Sequence, residues 1–188
     1  MRVISGSFRG KKILEPKDIK TRPLKDLTKE SIFNIIHHSK KFKIDLENSN
    51  ILDLFSGVGS FGIECLSRGV KNVTFVENYK GVLQILKNNL LGLKSSKNYK
   101  IIEKDINKSN IISKLNQKFD IIFLDPPYKD RNTENILTDI KNEEILNTNG
   151  IIIIHRHKNE EDKFPEYFKV IELKKYGISK ITFLSILN

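Results

Sequence analysis

One short stretch gathers groups that could do chemistry together: Asp125-Pro126-Pro127-Tyr128. Two consecutive prolines supply no backbone donor and push the residues before them into extended geometry, so the turn is stiff. A carboxylate and the Pro126 carbonyl accept hydrogen bonds, and the tyrosine ring offers a stacking face. Held at the end of a strand, this set suits a flat heterocycle that presents an amino group. The plainer alternative is an Asp-Pro turn that does nothing but end a strand.

A second concentration runs from Asp53 through Phe55 to Gly62. Gly57, Gly59 and Gly62 follow the spacing G-x-G-x-x-G between a strand pattern and a helix pattern. Glycines there let a ligand approach the backbone at a helix N-terminus. Glu77 ends the next apolar run, where a carboxylate can accept both hydroxyls of a ribose. Asp105-Ile106 ends the third, an acceptor beside an apolar side chain, suited to the amino group and ring face of adenine. Three successive strand ends thus describe an adenosine-containing ligand. Asp53 and Asp105 also have plainer readings, as caps of the loop and of the helix that follow them. A dinucleotide and S-adenosylmethionine both remain open at this point. The Asp125 turn separates them, because amino-group acceptors opposite a cofactor serve an amino methyltransferase and have no use in a dehydrogenase.

The elements that must position these groups alternate simply. Apolar, β-branched runs at 51–54, 73–76, 99–102, 121–124 and 151–154 read as strands, separated by helical patterns at about 60–68, 79–92, 107–117 and 132–146. Strand and helix in alternation predict a mostly parallel sheet with helices on both faces. Two further strands, near 168–173 and 181–187, flank the short Tyr176-Gly177-Ile178-Ser179 link, which predicts an antiparallel last strand. Before the sheet, Val3-Ile4, Phe8 and Ile13-Leu14 surround Arg9-Gly10-Lys11-Lys12, a small hairpin with a basic turn. A helix follows from about Leu24 to His38. His37 and His38 are neighbours on that helix and are not expected to face one another, so no metal site is predicted.

The bulk properties fit. A chain of 188 residues suits one domain with a small appendage, and the single cysteine, Cys65, excludes an internal disulfide framework. There is neither an 18-residue apolar run nor a signal-peptide core, so a soluble, cytoplasmic protein is expected. The net charge is +10. Residues 1–43 hold 12 Lys and Arg against four Asp and Glu, so most of the excess lies in the first quarter of the chain. Local charge of this kind attracts phosphate backbones. The composition is Lys-rich throughout, which is the compositional alternative.

Together, Arg9-Gly10-Lys11-Lys12, Thr21-Arg22-Pro23, Glu30 with Phe33-Asn34, the Asp53–Gly62 loop continuing through Leu66-Ser67-Arg68-Gly69, Phe75-Val76-Glu77, Phe119-Asp120 to Tyr128, and Tyr176-Gly177 resemble the RsmD family of bacterial 16S rRNA guanine-N2-methyltransferases. The resemblance implies a Rossmann-like class I methyltransferase fold, α/β, with a seven-stranded sheet and an N-terminal β-hairpin extension. It implies a basic arm over 1–23 and a methyltransferase domain over 24–188. The implied activity is methyl transfer from S-adenosylmethionine to the 2-amino group of a guanine in 16S rRNA, in a partly or fully assembled 30S particle, by a monomer without metal. Asp53, Phe55, Gly57, Gly59, Glu77, Asp105, Ile106 and Asp125 would then hold the cofactor. Asp125, Pro126, Pro127 and Tyr128 would act on the base, and Arg9, Lys11, Lys12 and Arg22 would meet RNA. The chain departs from the family pattern at Leu27, where a basic residue is expected, at His155, where an acid is expected, and at Ile178, where a polar residue is usual. DNA adenine or cytosine amino methylation is the alternative within the same chemistry, although 188 residues leave no room for a large target-recognition domain. A non-catalytic RNA-binding assembly factor is the alternative outside it.

Overall fold

The structure, a computed structural model, describes residues 1–16, 24–93, 97–108, 110–127 and 130–187. The apolar runs form β1 (Asn50–Leu54), β2 (Asn72–Val76), β3 (Tyr99–Ile102), β4 (Phe119–Leu124), β5 (Leu146–His157), β6 (Phe168–Tyr176) and β7 (Ser179–Ile186). They make one seven-stranded sheet in the order β3-β2-β1-β4-β5-β7-β6. The first five pair in parallel, and β7 runs antiparallel to both β5 and β6. The order changes direction at β1, which lies between β2 and β4, so the carboxyl end of β1 opens on a crevice.

Successive strand residues point to opposite faces, which explains the unbroken apolar runs: each face has its own core. Ile51, Phe75, Ile121, Phe123, Ile151 and Ile153 pack with α1 (Asp26–His38), α2 (Ser60–Ser67) and α3 (Lys80–Leu91). Leu52, Leu54, Ile122, Leu124, Ile152 and Ile154 pack with α4 (Thr133–Asn142). Stacked rings cross the first core, with Phe61 between Phe33 at 5.4 Å and Phe123 at 4.0 Å. Among the described residues no helix is long and apolar enough to cross a membrane.

Three expectations are corrected. The helix predicted over 107–117 is only a 3₁₀ turn at Ile112–Lys114. Ile111 and Ile112 are buried there, but the flanking Asn and Lys residues are exposed, so too little apolar surface is available to hold a full helix. The helix predicted over 132–146 stops at Asn142, and Leu146 begins β5, because Glu144 turns the chain with φ 50°. The imidazoles of His37 and His38 meet edge to face at 4.7 Å, although they are adjacent at the end of α1.

The N-terminal segment is closed by one antiparallel bridge, Arg2 to Lys12, and Val3 and Ile13 enter the same core as α1–α3. The clamp that holds it there is a buried charge cluster. Glu64 on α2 accepts the backbone N–H groups of Ile4 at 2.8 Å and Ser5 at 3.0 Å, and Nε of Arg68 at 2.9 Å. Lys29 on α1 is fully buried, donates to the Arg2 carbonyl at 2.7 Å and lies 3.5 Å from Glu64. Gly6, at φ 81°, sits so close to α2 that a β-carbon would fall 1.7 Å from the Ser67 carbonyl. The boundary expected after residue 23 falls at residues outside the described set.

Candidate cofactor and target-base site

The carboxyl ends of β1, β2, β4 and β5 and the loop after β3 surround one cavity of about 420 Å³. Asp53, Phe55, Gly57, Glu77, Asp105, Asp125, Pro126 and Pro127 line it. The fold thus brings eight residues from four separate stretches to one place. Gly59 and Ile106 are not among the lining residues. Gly59 leads into α2, and Ile106 is half-buried against the core on the α4 side. Tyr128 and Arg22 lie outside the described residues.

The glycine loop has a distinct reason for each glycine. Gly57 takes φ 55°, and a β-carbon there would meet nothing within 4 Å, which leaves that space beside the cavity open. Gly59 takes φ 85° at the N-cap of α2, and its β-carbon would fall 2.5 Å from Leu86. A β-carbon on Gly62 would fall 2.2 Å from the ring of Phe75 on β2, so this glycine serves close helix-to-sheet packing. Phe55 also adopts positive φ, 57°, an uncommon conformation for a bulky residue. Ser56 Oγ pins the turn by donating to the Asp53 carbonyl at 2.6 Å.

Four carboxylates line the cavity, and Asp53, Glu77 and Asp105 differ in what holds them. Asp53 is buried, and burial pushes its carboxyl well above the usual carboxylate range. The Gly62 N–H, donating to Oδ2 at 3.0 Å, opposes this, while the charges of Asp125 and Glu77 add to it. Glu77 is well paired: Oε2 accepts the Gly57 N–H at 2.7 Å and Oε1 accepts those of Asn78 and Tyr79 at 2.8 Å. Asp105 accepts the Asn107 N–H at 3.0 Å, and Asn107 donates to Asp130 at 2.6 Å, which joins the loop after β3 to the loop after β4.

In the sequence His155 stands out only as a departure from a family pattern. It lines the cavity, with Nδ1 2.8 Å from Asp125 Oδ1 and Nε2 2.9 Å from Ser179 Oγ. The signal was present, since His155 lies in the run at the end of the fifth strand. Its partner depended on strand order, which the sequence does not spell out.

The basic arm divides. Arg9 and Lys12 are exposed. Lys11 instead turns onto the protein, where its ammonium donates to the Gly92 carbonyl at the end of α3. Among the described residues no group of three His, Cys, Asp or Glu side chains could hold a metal ion.

Relatives match along the chain. A family model described as Conserved hypothetical protein 95 matches residues 1–185. The chain is 32% identical over 179 residues to a Haemophilus influenzae protein named Ribosomal RNA small subunit methyltransferase D, covering 95% of this chain and 90% of the relative. It is 36% identical over 162 residues to a candidate rRNA methyltransferase of Bacillus subtilis, YlbH, covering 86% and 85%. Two solved structures share the architecture. A candidate methylase of Haemophilus influenzae superposes with a TM-score of 0.77 at 30% identity, over 100% of this chain and 98% of that one. A candidate methyltransferase of Escherichia coli superposes with a TM-score of 0.80 at 25% identity, over 99% and 97%. The fold is the Rossmann-like class I methyltransferase fold that the motifs imply. The chain belongs to the family described as Conserved hypothetical protein 95, the RsmD family.

Proposed function

We propose that the protein transfers a methyl group from S-adenosylmethionine to the 2-amino group of a guanine in 16S rRNA, acting in the cytoplasm as a monomer on a partly or fully assembled 30S particle. The observation that carries the reading is that Asp125 and Pro126 share one cavity with Asp53, Glu77 and Asp105. Amino-group acceptors and adenosine acceptors thereby face the same space.

The donor set fits the cofactor. Asp53 is a buried carboxylate burdened by two neighbouring carboxylates, so a ligand ammonium such as that of the cofactor's methionine part relieves it. Gly57 leaves room for the same part, Glu77 takes the ribose hydroxyls, and Asp105 with Ile106 takes adenine. Gly59 and Phe55 shape the loop around it. S-adenosylmethionine supplies a methyl already activated on a sulfonium.

The chain's task is alignment. The guanine amino lone pair is delocalised into the ring, and N–H bonds accepted by Asp125 and the Pro126 carbonyl hold that nitrogen and favour a more tetrahedral, nucleophilic form. The same acceptors stabilise the positive charge that grows on it. Asp125 serves first as acceptor and only second as base, because carboxylates as a class are weak bases. Pro127 stiffens the turn, and Tyr128 stacks on a base turned out of its loop. Arg9, Lys12 and Arg22 hold the RNA backbone, with Lys11 shaping the arm.

The test is methyl transfer from labelled S-adenosylmethionine to 30S particles from cells without guanine-N2 activity, with naked 16S rRNA and duplex DNA alongside, followed by nucleoside analysis. Label in N2-methylguanosine supports the reading, and a preference for particles supports the assembled substrate. Label in DNA alone overturns the substrate, and no label in any arm overturns the reading.

A further inference from the structure

His155 is buried at the carboxyl end of β5, and its two ring nitrogens are both engaged, one by the proposed acceptor Asp125 and the other by Ser179 at the start of β7. We propose that His155 is the positioning residue that orients Asp125 and sets the net charge of the pair they form, so that the amino methylation proposed above rises as His155 gives up its proton. The inference rests on that reading.

The Ser179 hydroxyl makes the arrangement work in both states, because it can donate or accept. A cationic imidazole donates from Nδ1 to Asp125 and from Nε2 to Ser179. A neutral imidazole keeps Nδ1–H on Asp125 and accepts the Ser179 O–H at Nε2. Asp125 therefore stays oriented through the titration, with Oδ1 committed to the imidazole and Oδ2 left for a ligand. Only charge changes: the pair is neutral while His155 is cationic and carries one negative charge afterwards. A negative pair stabilises positive charge growing on an amino nitrogen better than a neutral one.

Other charged groups surround this pair. From β1, Asp53 faces the same cavity, and from β2, Glu77 does so across it. Beside His155 on β5, Arg156 donates to the Asp130 carbonyl at 3.1 Å and lies 3.7 Å from Asp162. Lys180 on β7 is 2.8 Å from the same Asp162. The next residue on β5, His157, lies on the opposite side of Arg156 in sequence and pairs in register with Ser179. Among the described residues, the chain before α1 adds only the apolar Pro16 and Leu24 to the lining. Burial is the largest influence on His155 and favours the neutral ring, but the charge and hydrogen bond of Asp125 outweigh it and hold the proton above the ordinary imidazole range.

The first measurement is an NMR titration of the His155 imidazole in the cofactor-free protein, in wild type and in Asp125→Asn, with the resonance assigned from His155→Asn. The expected result is a midpoint above the ordinary histidine value in wild type that falls in Asp125→Asn. An unmoved midpoint overturns the proposal. The second is the pH dependence of kcat. Wild type should rise through the midpoint seen by NMR. His155→Asn, whose amide can donate near the Nδ1 position but cannot ionise, should lose that inflection. His155→Leu, without a donor, should lower kcat at least about tenfold while S-adenosylmethionine affinity holds. An inflection that survives in His155→Asn overturns the proposal. Absence of methyl transfer by wild type overturns the function proposed above, whereas the pairing is decided by the titration alone.

Discussion

Glu77 and Gly57 tie the ends of β2 and β1 together: the Gly57 N–H donates to Glu77 Oε2 at 2.7 Å, so one carboxylate both braces the glycine loop and faces the cavity. Charge-assisted hydrogen bonds contribute about 1.5–3 kcal/mol each, so losing a pair of them to ribose in Glu77→Ala should weaken S-adenosylmethionine binding by about 10²-fold or more. Calorimetric titration checks this. Wild-type affinity in the variant would remove Glu77 from the cofactor site.

Asp125→Ala should bind cofactor nearly as wild type does and lose turnover by about 10²–10³-fold, the usual cost of deleting a group aimed at developing charge. Single-turnover transfer and equilibrium binding, measured on the same preparation, separate the two. Turnover at the wild-type rate would eliminate Asp125 from the mechanism.

Asp53 predicts an opposition between stability and function. Burial, and then the charges of Asp125 and Glu77, raise its carboxyl above the unfolded value. A raised folded-state value means that its contribution is fully present below about pH 4 and is lost as pH rises through the folded-state value. Asp53→Asn keeps an oxygen for the Gly62 N–H and removes the ionisation. Its Tm should exceed that of wild type near pH 8, with the gap closing toward pH ~4, while cofactor affinity falls. Thermal melts across pH test the sign, and a gap that widens in acid would refute it.

The buried cluster under the N-terminal segment makes unequal demands on its two charges. Burial lowers the Lys29 ammonium's affinity for its proton, and Glu64 is the first of the groups that restore it. Glu64→Ala strands Lys29 and leaves the Ile4 and Ser5 N–H groups without their acceptor, at a cost of about 3–5 kcal/mol. Lys29→Met replaces a charge by an apolar chain of similar length and leaves Glu64 its remaining donors, so it should cost clearly less. Urea unfolding of both variants decides, and equal losses would mean that the cluster is not organised around Glu64.

In the basic arm, Arg9 and Lys12 are exposed while Lys11 is held by the Gly92 carbonyl. The double variant Arg9→Ala/Lys12→Ala should reduce the salt slope of RNA binding by about 1.4, at ~0.7 per phosphate contact with single strands. Lys11→Ala should change the slope less and stability more. Filter binding across a salt series provides the comparison, and an unchanged slope in the double variant would return the arm to the compositional explanation.

Much of the architecture is legible because it rests on local pattern. The runs Ile51–Leu54, Ile121–Leu124 and Ile151–Ile154 are buried on both faces, and a run apolar at every position reads as a central parallel strand. Gly57, Gly59 and Gly62 are legible for the same reason, since positive φ and close packing act within a few residues. The segment over 107–117 misled because its apolar residues suggested a helix, whereas Ile111 and Ile112 alone are buried there among the described residues and Leu115 only packs at the margin of the same core.

The sequence by itself thus determined the alternation of elements, the glycine loop, and the carboxylates at the strand ends, because burial patterns and turn chemistry act over short separations. Tertiary structure alone decided which of these groups meet. It placed β5 between β4 and β7, and only that order sets His155 between Asp125 and Ser179. It also buried Lys29 against Glu64 and turned Lys11 away from solvent, where composition had counted both as surface charge. Such pairings join residues tens of positions apart, and they follow from how the sheet is ordered and where the N-terminal segment lies on α2.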